Sequence, residues 1–138
     1  MSCFLPKGTP AVSVQDVKKR VREALKSKDM TVRGWGAGEL IALDPYDADD
    51  RDVVAGLLKD PENWVRLNAA GALSVMGKMA QPAVPALREA LNTNDEQLKE
   101  RVQETLLKIE KAPDRSREET AHRELLARIQ QVITAQKD

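Results

Sequence analysis

Apolar positions along the chain recur in columns 33 residues apart: Val21, Val54 and Leu87; Leu25, Leu58 and Leu91; Val32, Val65 and Leu98; Leu40, Leu73 and Leu106; Leu43, Met76 and Ile109. Five columns hold register over three copies without a gap. Periodicity of that length is the mark of a repeat architecture, in which one copy buries its apolar face against the next.

Each copy divides into two helical patterns. In the middle copy Val53, Val54, Leu57 and Leu58 form one stripe, and Val65, Ala69, Ala72, Leu73 and Met76 form a second after the turn Lys59-Asp60-Pro61-Glu62. Spacings of three, four and seven are helix periods, not strand alternation. The first copy runs through Val14, Val17, Val21 and Leu25, then Val32, Gly36, Leu40 and Leu43. The third runs through Ala83, Val84, Leu87 and Leu91, then Leu98, Val102, Leu106 and Ile109. Ser13 with Asp16 reads as a capping box opening the first helix, and Asp60 before Pro61 as an N-cap followed by proline at the first helical position. Asp44-Pro45, Gly77 and Pro82 fall in the links, where helices must end. Beyond Pro113, Ser116 and Glu119 read as another capping box. Ala121, Leu125, Ile129, Val132 and Ile133 then form a last helical stripe. Such a helix is expected to cover the flank that a terminal repeat leaves open, or else to pair with a second copy as a homodimer.

The expected organisation is therefore a flexible N-terminus over residues 1–12, three repeats over 13–112 and a C-terminal capping helix over 113–138. The fold class is an all-α superhelix of three helical hairpins. The string from Leu57 to Leu73, LLKDPENWVRLNAAGAL, resembles a HEAT repeat, and more narrowly the short HEAT-like type of phycobilisome lyases. Ala83-Val84-Pro85-Ala86-Leu87 matches the first helix of that unit. The resemblance implies that Asp60 pairs with Arg66 in a ladder along the stack. The outer copies depart from it, with Ser27 and Thr93 in place of the aspartate and Lys99 in place of the arginine; Asp29 and Asp95 stand nearby as substitutes. It also implies that second helices line a concave, partner-binding side, built here from Thr31–Leu43, Asn63–Met76 and Asp95–Lys111. Ankyrin and tetratricopeptide signatures are missing.

Charge changes this picture in its distribution, not its sum. The 138 residues carry 22 Lys+Arg and 22 Asp+Glu, a formal net charge of zero, which argues against a whole-chain polyanion binder. Lys18, Lys19, Arg20, Arg22, Lys26 and Lys28 make the opening helix basic, but they spread around it and read as a solvated face. Residues 39–62 carry eight acids and two bases, and residues 63–94 only three bases and one acid. The acidic run Asp44, Asp47, Asp49, Asp50 and Asp52 fails the calcium-loop spacing and suits a helix start.

Candidate chemistry is sparse. One cysteine, Cys3, excludes an internal disulfide and a Cys-based zinc site; one histidine, His122, reads as a surface residue. Gly34-Trp35-Gly36-Ala37-Gly38 lacks phosphate-loop spacing and falls inside a helix, so close helix packing or a flexible first unit is the expected use of its glycines. Trp35 and Trp64 occupy columns otherwise filled by Asn68, Arg101, Thr31 and Gln97. That leaves open whether they stack on each other or anchor a partner. No membrane span or signal peptide is recognisable, and a cytoplasmic setting is expected. No catalytic residue, cofactor or metal ligand is identified. The sequence points to a scaffold that binds a protein partner through Arg33, Ile41, Trp64, Arg66, Leu67, Ala70, Lys99 and Gln103. An accessory subunit of a phycobilin-lyase-like enzyme and a HEAT-like nucleic-acid binder are the alternatives.

Overall fold

The computed structural model describes residues 13–136. The expected flexible segment 1–12, Cys3 included, lies outside them. Seven α-helices follow in order: α1 (Val14–Ala24), α2 (Met30–Leu43), α3 (Ala48–Gly56), α4 (Asn63–Val75), α5 (Val84–Ala90), α6 (Glu96–Lys111) and α7 (Ser116–Gln136). A 3₁₀ turn (Leu57–Lys59) extends α3, and another (Gly77–Ala83) leads into α5. The pairs α1–α2, α3–α4 and α5–α6 are the three hairpins. Two layers result, with α1, α3 and α5 as first helices and α2, α4 and α6 as second. The second helices pack on one another more extensively than the first.

Local signals set the helix boundaries. The Ser13–Asp16 capping box forms in both directions, and Asp29, Asp47 and Asp95 cap α2, α3 and α6. Asp60 does not cap α4 directly. The helix opens at Asn63, and the Asp60 carboxylate accepts the Glu62 N–H instead, at 2.9 Å. The capping box at Ser116 is likewise absent: Ser116 is already helical, and Asp114 accepts its N–H at 3.0 Å. Pro82 and Pro85 lack the N–H that a continuous first helix in the third hairpin would need, so it enters through a 3₁₀ turn. Gly77 takes φ +56°, a left-handed turn that suits glycine and ends α4.

The column pattern maps onto burial with one instructive exception. In the middle hairpin Val54, Leu58, Val65, Leu73 and Met76 are all buried, whereas in the outer ones Val32 is exposed and Leu91 and Leu106 are only partly covered. A middle repeat has neighbours on both sides; an outer one lacks one. The column Ala37, Ala70 and Gln103 shows it directly. Ala37 and Ala70 are fully buried against the following repeat, and Gln103, with no repeat after it, is exposed. Ile41 and Leu107 behave alike, the first buried and the second 52% exposed.

That open end stays open. The last helix contains no buried residue, and its polar ties among the described residues run to the link between the first two hairpins. His122 Nε2 lies 3.0 Å from Asp44 Oδ1, and its ring sits 4.9 Å from that of Tyr46. Further along, Leu126, Ile129 and Gln130 border a small cleft with Val14 and Gln15. The path crosses the links between repeats, so α7 is a strap along one edge of the stack. Its Leu125, Ile129 and Val132 remain exposed.

Candidate docking surface on the second helices

Two electrostatic clasps hold the first two hairpins in register. Lys18 is 1% exposed, although the basic helix α1 reads as a solvated face. Its ammonium lies 2.6 Å from Asp47, 2.7 Å from Asp50 and 3.4 Å from Asp44, all in the next repeat or the link to it. Arg22, one turn on, pairs with Asp50 as well. Burial works to lower the Lys18 pKa, but hydrogen bonds and charge from Asp47 and Asp50 outweigh it and hold the ammonium above the ordinary lysine value. Burial likewise works to raise the Asp47 pKa; Lys18 and the backbone N–H groups of Asp49 and Asp50 bring it below the usual carboxylate range. The acidic run therefore does more than complement a helix dipole. It closes around a lysine.

The second clasp corrects the expected ladder. Asp60 gives its carboxylate to Arg33 of the preceding hairpin, in a two-pronged bridge of 2.9 and 3.0 Å that holds its pKa down. Arg66 instead donates to the Asp60 main-chain carbonyl at 2.6 Å and to Asn63. The pairing thus runs between repeats. The next rung is missing because Thr93, one period after Asp60, has no carboxylate; Arg66 keeps the bond to its own turn that Arg33 also makes, to the Ser27 carbonyl at 2.9 Å.

Two of the three glycines of α2, Gly34 and Gly36, serve close packing, and Gly38 does not. A Cβ on Gly34 would meet the Trp64 indole at 2.6 Å, and one on Gly36 would meet Leu25 at 2.7 Å. Trp64 thus lies over α2, while Trp35 stands free at 71% exposure.

With these seats filled, the expected binding residues separate. Ile41 and Ala70 belong to the inter-repeat core, and Ala70 also presents its carbonyl to Thr105 Oγ1 at 3.0 Å. Neither offers a side chain at the surface for a partner to read. Arg33 and Arg66 are occupied by the Asp60 turn. Lys99 pairs with Glu96 at 3.5 Å, and Gln103 lies at the open end. Trp64 and Leu67 join Ile41 in lining a groove, of about 700 Å³, across α2, α4 and α6, and of the three only Ile41 is fully buried. Gly38 and Ala42 border it from α2, Asn68, Gly71 and Val75 from α4, and Gln97 and Arg101 from α6. Trp64 is 44% and Val75 63% exposed there.

A sequence signal for this groove exists. Trp64 and Gln97, Asn68 and Arg101, Gly38 and Gly71, and Ala42 and Val75 each stand one period apart. On α4 these columns are positions 64, 68, 71 and 75, one helix face. The buried column of Ala37 and Ala70 is its neighbour, turned toward the next repeat.

Among the described residues no helix is long and apolar enough to cross a membrane. A family model described as HEAT repeats matches residues 19–107, well over half of the chain. No curated protein and no solved structure matches it.

Proposed function

The chain belongs to the HEAT-repeat family, whose repeats generally mediate protein–protein interaction, and we propose that it is a non-catalytic module docking a protein partner on the outer face of α2, α4 and α6. The observation that carries this reading is the groove: Trp64 and Val75 stay exposed beside glycines in one channel that crosses all three second helices. A preformed surface of this kind gains affinity through rigidity, since little conformational freedom is lost on docking. The basic first helix supports the nucleic-acid alternative less than its composition suggests, because Lys18 and Arg22 are engaged by Asp47 and Asp50.

A photo-reactive side chain placed at Asn68 in the groove tests the reading against one at Arg88 on the opposite layer. A partner crosslinked from Asn68 and not from Arg88 is the expected result. Crosslinking from Arg88 alone would place docking on the first helices and overturn it.

A further inference from the structure

Resting on that reading, we infer that the occupant of the groove is a short amphipathic helix that presents an acidic residue to Arg101. Three observations define it. The first is length: from Trp64 to Val75 the groove follows twelve residues of α4, about 16 Å at the helical rise, which three turns of a facing helix span.

The second is the floor. A Cβ added at Gly38 would meet no heavy atom within 4 Å, and one at Gly71 would meet only an Arg101 guanidinium nitrogen, at 3.9 Å. Two glycines one repeat apart leave a shallow channel in which another helix can approach closely. An extended strand fits it poorly. The backbone of α2, α4 and α6 is hydrogen-bonded within each helix, so the groove has no ladder edge to offer a strand. Asn68, central in the groove, already donates its side-chain amide to the Trp64 carbonyl at 2.7 Å. A helix brings its own backbone already satisfied.

The third is charge. Arg101 is the one formally charged side chain among the described residues lining the groove. Its guanidinium lies over the floor at Gly71 and, among the described residues, takes part in no ion pair and donates no side-chain hydrogen bond. Covering an arginine with an apolar partner strips its water without replacement, an unfavourable change. A carboxylate aimed at it offsets that loss and fixes the register of the incoming helix. A lysine or arginine at the same place would be repelled.

Two displayed libraries of 16-residue peptides, one with a fixed central glutamate and one with a fixed central lysine, are selected against the full chain. The glutamate library is expected to enrich, with apolar residues three and four positions from the acid. Fluorescence anisotropy with an enriched peptide should show a loss of about tenfold or more for Arg101→Ala. Gly38→Leu, which fills the channel, should abolish binding while the thermal midpoint stays at or above wild type. If binders need the groove but tolerate Arg101→Ala, or come from the lysine library, the acidic occupant is wrong and the docking face stands. If Gly38→Leu leaves binding intact, or neither library enriches, both readings fall.

Discussion

Replacing Lys18 by methionine tests the physical account of the first clasp. The substitution keeps roughly the length of the side chain and removes its charge from a site 1% exposed, leaving Asp44, Asp47 and Asp50 crowded around an apolar group. Arg22 still reaches Asp50, and His122 still reaches Asp44, but Asp47 loses its main counter-charge. Removing one partner from a buried ion pair costs about 3–5 kcal/mol, because the other charge remains desolvated. An unfolding entropy of about 2.1 cal/mol/K per residue gives roughly 0.3 kcal/mol/K for the chain, so the midpoint should fall by about 10–17 °C. Circular dichroism at neutral pH measures it, with Lys19→Met on the exposed side of the same helix as the control, expected within about 2 °C. Adding Asp47→Asn and Asp50→Asn to Lys18→Met should recover a large part of the loss, since the stranded charges are then gone. A fall no larger than that of the Lys19 control would refute the reasoning. So would a triple variant less stable than Lys18→Met alone.

The same structure fixes four other outcomes. Ala70→Asp should cost more than about 4 kcal/mol, since it puts a charge into a fully buried contact between α4 and α6; retention of the wild-type melting curve would show that this column is surface after all. Gly38→Ala should stabilise by about 1 kcal/mol through helix propensity, having open space around it. Gly34→Ala should gain nothing and should shift the tryptophan emission as Trp64 leaves its seat. Midpoints measured against pH should fall at both ends. Asp47 and Asp60 have pKa values below the ordinary 3.8, so their contribution is complete above that value and disappears as pH falls through the lower native ones. Lys18 has a raised pKa, so its contribution is complete below 10.5 and disappears as pH rises through the native value. A midpoint unchanged down to pH 2 or up to pH 12 would contradict these assignments.

What can be read from the sequence depends on distance along the chain. Columns 33 residues apart reveal the hairpins and the buried middle repeat, because stacking repeats must present the same face at the same register. Which neighbouring column turns toward the next repeat and which toward solvent is a matter of helix rotation, and small residues suit either place. Ala70 and Ile41 read as surface positions for that reason, while Gly38, Gly71 and Val75, one column away, form the groove. Lys18 reads as solvated because its acids lie more than 25 residues on. The legible trace is a pair of matching spacings, Lys18 and Arg22 four apart facing Asp44, Asp47 and Asp50 three apart. His122 carries no signal at all, since its partners Asp44 and Tyr46 belong to a link that α7 reaches only by doubling back.

The clasps also distribute cohesion unevenly along the stack. Lys18, Arg22 and Arg33 all join the first hairpin to the second, where Trp64 also lies over Gly34. The second and third hairpins meet through apolar contact, the Thr105 hydroxyl, a 3.3 Å bond from Arg51 to the Met79 carbonyl and an exposed Lys59–Glu89 pair. In a one-dimensional array the weaker boundary opens first. Amide protons of α5 and α6 should therefore exchange with solvent ahead of those in α2 and α4, and a pull applied along the stack should peel the third hairpin away as a unit while the first two hold together.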